Sequence, residues 1–596
     1  MNYPQLSTQT IKRTMINTFA GYDHRLVTSD TTFYDMQNMC TGLYPAISTR
    51  PKRAKVSTLT DARGLIAKDA LCWIDGNALY YNGHKITGIT LNSSTPKQMV
   101  SMGAYLVIFP DAVYVNTKDL NEYGSLGASY ELPADNTVTV TVSRQDGTEY
   151  ENLLVSNTPP ENAAVGDYWI DTSESPSVLK MYTYEEIWAD VPVSYCTVKA
   201  TGIGAGFKSG DGLTVTASKN LGGALPFGEE GNYSATLVMS AVTDDTLTFA
   251  GIMNTAQVVY NAGDITLKAE RRIPKMDYVV ESQNRLWGCY YGLDDEGKTL
   301  NEIYASALGD PKNWQTFQGT AADSYIVSLG SDGVFTGAAS YQNRPVFFKE
   351  QCIHTVYGDY PANYTMHTAN VRGVQKGSWR SVANIGGVLY YKSPTDICAY
   401  DGSIPVSISA QLGDDNAVFS HAVAGANGTL LYIALRSGNT DTMYVYDTQR
   451  GLWSKEDEVT PIAFASDSSG LCYITQNALM RTVYTQATGG TPEQEDIEWS
   501  LTTGIHGFEN PDGKRLRQLK LNMLAEENTA CELEVMYDSS GAWLKIADCY
   551  GSGLTKCTSV IFIPQLCDHF QLRLSGYGYM HLVSVTKSVL YGGEKR

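Results

Sequence analysis

GVLYYKSPTDICAYDG, residues 387–402, sets an apolar run with two tyrosines against a short polar turn and a second run ending in tyrosine. A catalytic loop occurs once and depends on partners scattered through the chain, whereas a structural unit recurs. This one recurs. LCWIDGNALYY (71–81), YLVIFPDAVYV (105–115), RLWGCYYG with NEIYA downstream (285–305), PVFFKEQCIHTVYG (345–358), LLYIALRSGNTDTMYVYD (430–447) and LCYITQNALM (471–480) share its build. From Val346 onward the copies start about 40 residues apart, the period of propeller blades. Each reads as two inner strands of an antiparallel blade, the first apolar on both faces because a blade packs between two others.

The composition suits that unit. A chain of 596 residues is too long for one core, since single cores stop growing near roughly 250–300 residues. Its 39 tyrosines and 54 glycines point to strands and corners rather than helices. No segment of a dozen residues carries a 3.6-residue period, and no long uncharged apolar run is present to cross a membrane as a helix. The start, MNYPQLSTQTIKRTM, lacks the apolar stretch of a secretory signal, so synthesis and residence in a cytoplasm are expected. The eleven cysteines stand singly, several inside apolar runs such as Leu71-Cys72-Trp73 and Leu471-Cys472-Tyr473, a pattern of free thiols. A formal charge of −19 opposes a grip on nucleic acid.

The expected architecture is all-β: a propeller of about seven blades with an inserted β domain and a C-terminal β-sandwich. Residues 1–132 read as an N-terminal arm and the first blades, and 271–486 as the remaining blades. Between them, 133–270 is too long for a structureless loop. Its NTVTVTV, GLTVTAS and DTLTF segments read as one or two small β domains. After the linker ATGGTPEQED (487–496), residues 497–596 alternate as a sandwich, with KRLRQLKLNM, ACELEVMYD, SVIFIP and DHFQLRLSGYG as strands. In the arm, FYDMQNMCTGLYPAISTR is expected to run extended through Tyr44-Pro45. It either closes the ring by lending the last blade an outer strand or reaches a neighbouring subunit; closure is preferred, because propellers protect their edges.

Catalytic signatures are missing. H-E-x-x-H, G-x-S-x-G, the Walker phosphate loop, the dinucleotide fingerprint and the sialidase Asp box do not occur. The run GIGAGFKSGDG (202–212) has neither the spacing nor the following helix of a phosphate cradle, and reads as a hairpin corner. Cys549, Cys557, Cys567 and His569 offer soft ligands without a C-x-x-C pair, so ordinary thiols are expected rather than zinc. His354 and His421 belong to repeat strands. His24, His84, His367, His506 and His581 have no carboxylate at dyad spacing. Asp294-Asp295 and Asp414-Asp415 sit in turn-like contexts. Trp287, Trp314 and Trp453 are expected to mark blade layers, and Arg285 either covers an aromatic face or bonds strand carbonyls. Tyrosines and tryptophans supply stacking platforms for sugars in some proteins, but here most lie within the repeat strands, where packing is the stronger reading. No catalytic, cofactor-binding or metal-ligating residue is assigned, and no cofactor is expected. The GLDDEGKTLN loop (292–301) and the insert are the expected partner contacts.

The phrase FAGYDHRLVTSDTTFYDMQNMCTGLYPAISTRPKR (19–53), the paired blade phrases, VVESQNRLWGCYYG with EIYASALGDPKNW, and LYYKSPTDICAYDGSIPVSIS together resemble the propeller proteins of bacteriophage tails. These are the tail nozzle or hub proteins, including the packaged-DNA stabilisation proteins of short-tailed phages. The resemblance covers about residues 1–130 and 271–485, with CDHFQLRLSGYG near the end also similar; the insert has no counterpart in it. It implies a structural virion protein of the tail, assembled in the host cytoplasm as a homo-oligomeric ring, a hexamer in such families. Its partners would be the portal or head-tail adaptor and other tail proteins, with passive contact to DNA in the channel. The alternative is a carbohydrate-binding propeller that recognises a host surface, and a third reading is a glycosidase.

Overall fold

The computed structural model describes residues 10–592 except 26, 27, 226, 295, 488, 494, 495, 509, 511 and 564; the side chains of 10 and 414–417 are also outside the description. The protein is all-β, with four short 3-10 turns as its only helical pieces among the described residues. Seven antiparallel sheets follow one another around a closed ring, the first strand of the last packing against the first strand of the first. Blades 1 and 2 span Ala62–Lys85 and Gln98–Ser125, and blades 3 to 6 span Tyr278–Ser328, Gly337–Ala369, Ala383–Ser407 and His421–Glu458. Blade 7 is composite. Its strands Ala463–Asp467, Gly470–Thr475 and Ala478–Arg481 are completed by Ala54–Thr58 from the other end of the chain.

The tyrosine phrases form the second and third strands of their blades, and their period-two alternation holds the ring together. Leu286 faces a core shared by blades 2 and 3, and its neighbour Trp287 faces the core of blades 3 and 4. Phe347 and Phe348 divide in the same way between blades 3 and 5 on either side. Polar side chains clip other neighbouring blades as well: Lys68 Nζ donates to Ser101 Oγ at 2.9 Å between blades 1 and 2, Gln283 to the Gly358 carbonyl at 3.0 Å between blades 3 and 4, and Gln476 to Asp61 at 2.8 Å between blades 7 and 1. Arg285 takes the carbonyl-bonding role, donating to Ser306, Asp323 and Ala321 at 2.8, 2.5 and 2.6 Å. Trp287, Trp314 and Trp453 are all buried, each indole donating to a backbone carbonyl.

The insert is one body built on a nine-stranded sheet from Ala128–Glu131 to Leu267–Arg271, so it begins and ends slightly outside 133–270. A four-stranded sheet, Leu153–Ser156 through Trp188–Asp190, is nested within it and contributes Ile170 and Leu179 to the same core.

The sandwich differs from the expected unit of 497–596. Its six-stranded sheet contains Thr10–Ile16, Met39–Cys40 and Ile47–Thr49, and its five-stranded sheet contains Phe33–Gln37. Residues 10–49 are therefore sandwich, and only the next strand belongs to the propeller. Phe19, Phe33, Met36 and Met39 enter one continuous core with Leu519, Leu533 and Leu574, and that core runs on into blade 6 through Trp453. Tyr44-Pro45 is not extended: it sits in the turn that reverses the chain so that Met39 pairs with Thr49.

Candidate functional site

Three places stand out once the fold is in view: the propeller axis, the seam between propeller and sandwich, and the insert. The axis is filled at the end where the innermost strands begin. There the turn Trp379–Ser381, ahead of blade 5, sends the Arg380 guanidinium across the ring. It donates to the Ile462 carbonyl of blade 7 at 2.8 Å, to Arg63 of blade 1 at 3.2 Å and to Lys97 ahead of blade 2 at 2.9 Å. Burial lowers its pKa to about 10, so it remains charged at neutral pH. Trp379 lies beneath it at 4.6 Å and packs towards Tyr278 of blade 3. One side chain thus ties four blades and occupies the place where a propeller would admit a small ligand.

The seam carries a buried charge network. Arg53 donates to Glu456 and Asp457, both at 2.6 Å, and Arg50 donates to Asp457 at 2.9 Å and to Asn38 at 2.8 Å. Both arginines are 2% exposed, which makes this a clamp: isolated charges are very costly in such surroundings, and only mutual pairing offsets the burial. Burial opposes ionisation of Asp457, but the Arg53 and Arg50 charges prevail and hold its pKa below the usual carboxylate value. The same balance raises Arg53 well above its ordinary value despite burial. A signal existed in the sequence: the basic STRPKR (48–53) and the acidic KEDE (455–458) are short opposite charge runs. Nothing in their spacing, about 400 residues apart, announced that they meet.

The insert docks on blade 3 through the glycine run. Gly212 N–H donates to Asn313 Oδ1 at 3.1 Å, Asn313 returns a bond to the Gly210 carbonyl at 2.8 Å, and Thr214 donates to Gln315 at 3.1 Å. At Gly212 a Cβ would fall 2.2 Å from the Gln315 carbonyl oxygen, so the close approach requires glycine. Arg271 closes the joint on Asp211 at 2.6 Å. The run is a docking corner that leads into the strand Gly212–Ala217. Away from the joint, the nested sheet and the nine-stranded sheet bound a cleft of about 1330 Å³, lined by hydroxyls (Ser156, Thr172, Ser177, Thr236), by Glu174 and by Phe227, which is 72% exposed.

The remaining sequence candidates are dispersed. Cys549 faces Cys531 across two strands, Cys557 is exposed on an edge, Cys567 is buried against the Lys514 carbonyl, and His569 bonds Ser539 at 2.7 Å. Among the described residues no group of three His, Cys, Asp or Glu side chains is arranged to hold a metal. His354 is buried between Ser331 and Thr368 at 3.0 and 2.9 Å, and burial, aided by the Lys349 charge, lowers its pKa to about 4. His506 does have a carboxylate, brought in from far along the chain: Asp30 at 2.6 Å, which also accepts from Lys587 at 2.6 Å. The hydrogen bond from His506 is the main reason Asp30 titrates well below an ordinary carboxylate. The 292–301 loop is mostly hairpin, since strands run to Leu293 and resume at Thr299. Asp295 and the Asp414 and Asp415 side chains lie outside the described residues.

No family model matches the chain, and no curated protein matches it. Among solved structures it is similar to an exo-β-1,3-galactanase from Phanerochaete chrysosporium (12% identity, 52% of this chain and 94% of that one, TM-score 0.18). A putative exported protein from Bacteroides fragilis matches at 9% identity over 35% of this chain and 90% of that one, also with a TM-score of 0.18. A glycoside hydrolase family 43 arabinoxylan arabinofuranohydrolase from Bacillus subtilis matches at 10% identity over 70% and 93%, with a TM-score of 0.15. Likeness at this level carries no inference about activity.

Proposed function

We propose that this chain is a structural subunit of a bacteriophage tail, one of several copies in a ring below the portal that retains and conducts genomic DNA. The filled axis carries the reading. With Arg380 spanning blades 5, 7, 1 and 2, one end of the propeller is closed to a threading polymer, and the surfaces left for function are external. A conduit in such an assembly lies between copies. The formal charge of −19 suits a wall that must not hold the phosphates sliding past it. The clamp and the shared core make propeller and sandwich one stiff body, as a permanent assembly requires. The similarity of residues 19–53 and of the blade phrases to tail nozzle and hub proteins points the same way. Within this reading the portal or head-tail adaptor and other tail proteins are the partners, the chain performs no reaction, and the virion tail is its location.

A second reading is carbohydrate recognition, favoured by one feature, the hydroxyl-lined insert cleft with Phe227 at its rim. Electron microscopy and light scattering of the purified chain separate the two. Rings, alone or on a portal-side partner, support the tail reading. A monomer that retains host polysaccharide, and loses it with Phe227→Ala, overturns it in favour of the second; release of reducing sugar overturns both.

A further inference from the structure

One border of the six-stranded sheet of the sandwich is shared by Thr10–Ile16, on residues 585–591, and by Ile47–Thr49 with Met39–Cys40 beyond it, on residues 581–582; the other border is the seven-residue strand Thr555–Ile561. Thr10–Ile16 pairs with Met580–Tyr591, and Thr555–Ile561 pairs with Lys514–Ala525. The outer edge of each carries no further strand among the described residues. Such edges are templates for another chain unless something covers them.

Strand sense selects what fits. From Thr10–Ile16 through Met580–Tyr591 and Lys514–Ala525 to Thr555–Ile561 every pairing is antiparallel, so the two edge strands run in opposite directions. A rotation about an axis parallel to the strands therefore brings the N-terminal edge of one copy against the C-terminal edge of the next in antiparallel order, the head-to-tail relation that closes into a ring. Side-chain faces limit the register to steps of two, because a slip of one residue would exchange core and surface, and among those steps covering Ile11 with Ile561 selects one. Thr14 and Ile16 face the core, while Ile11, Arg13 and Met15 are exposed; on the other edge Thr558 and Val560 face inward, while Cys557, Ser559 and Ile561 are exposed. Matching faces sets Ile11 opposite Ile561, Arg13 opposite Ser559 and Met15 opposite Cys557. Ile11, Met15 and Ile561 are 49%, 60% and 78% exposed in the single chain, apolar surface that this pairing covers. Charge excludes one alternative: pairing of the N-terminal edge with itself about a two-fold axis centres Arg13 on Arg13, and like charges directly opposed are destabilising. Against the C-terminal edge the same arginine meets a serine.

We propose that copies of this chain join head to tail by antiparallel pairing of Thr10–Ile16 on one copy with Thr555–Ile561 on the next, so that the sandwich sheets form a continuous belt around the ring. The inference rests on the tail-ring reading and names its contact. Cys557 is the one exposed cysteine of the eleven, so the full-length chain carries its own probe. The variant Met15→Cys, treated with a short bismaleimide, should give a ladder of covalent oligomers that is absent from the wild type and abolished when Cys557→Ser is added. The variant Ser559→Cys should give none. No ladder from M15C, or dimers from S559C, which would mark two-fold pairing of the C-terminal edges, overturns the contact. Rings in the microscope with no M15C ladder leave the assembly standing and remove only this interface. A chain that stays monomeric at its highest soluble concentration and forms no ring on a portal-side partner removes both.

Discussion

The propeller and the sandwich treat their strand edges in opposite ways. The propeller joins its first blade to its last, completes blade 7 with Ala54–Thr58, and fills its axis with Arg380. The sandwich recruits strands from both ends of the chain, yet among the described residues Thr10–Ile16 and Thr555–Ile561 each have a strand on one side only. Each blade still ends on an outer strand of its own, but a closed ring of blades leaves no blade face on which a further blade could stack, whereas a sheet with two complementary edges can extend. Between them sits the Arg50–Arg53–Glu456–Asp457 clamp, which makes the open body and the closed one move as a unit.

Removing that shared thread has the largest expected effect. Deletion of residues 1–55 strips four strands from the sandwich and part of the closing strand from blade 7, so neither body can complete itself. The truncated chain should be insoluble on expression; a folded, soluble monomer would show that each body closes without the other. Glu456→Ala is more selective. It leaves the buried Arg53 short of a partner, and breaking a buried pair in this way costs about 3–5 kcal/mol, read as a lower urea midpoint. An unchanged midpoint would mean that the clamp is not what couples the two bodies.

The pH response distinguishes the bodies further. His354 has a folded pKa of about 4 against an ordinary 6.5, so between these values the unfolded chain takes up the proton and the folded one resists it. Stability is complete above about pH 6.5 and declines towards pH 4, by about 3 kcal/mol in all. His354→Gln should flatten the melting temperature across that window; if the variant tracks the wild type, the seam between blades 3 and 4 is not the source of acid sensitivity. Asp457 acts lower on the scale. Its depressed pKa gives stability that is present above the ordinary carboxylate value and lost as the pH falls through the folded one. The smallest effect is expected at Lys545, half exposed and paired with Asp548 at 2.8 Å. Lys545→Ala should leave the urea midpoint within the scatter of the wild type; a clear fall would mark the exposed pair as structural.

Much of the propeller was legible because its signal is local. The alternation in RLWGCYYG sends Leu286 and Trp287 to different seams whatever surrounds them, and the tyrosine phrases repeat that pattern around the ring. Ring closure was expected from FYDMQNMCTGLYPAISTR (33–50), but those strands belong to the sandwich and the next one, Ala54–Thr58, closes blade 7. Residues 10–49 were harder. Their strands are short and their partners lie more than 400 residues away in the sandwich, as with Asn38, which donates to the Glu498 carbonyl at 2.8 Å. Arg380, in the unremarkable GSWRS, had no local mark at all, since its three carbonyl partners come from three different stretches of chain.

By itself the sequence determined the all-β class, the recurring blade and the separate insert, because period-two apolar patterning and turn residues act between neighbours along the chain. Only the tertiary structure decided which distant strands complete which sheet, where opposite charges meet in the clamp, what fills the axis and which strands border each sheet. Those outcomes depend on hydrogen bonds and ion pairs between residues hundreds of positions apart, and such bonds acquire their geometry only once the ring has closed.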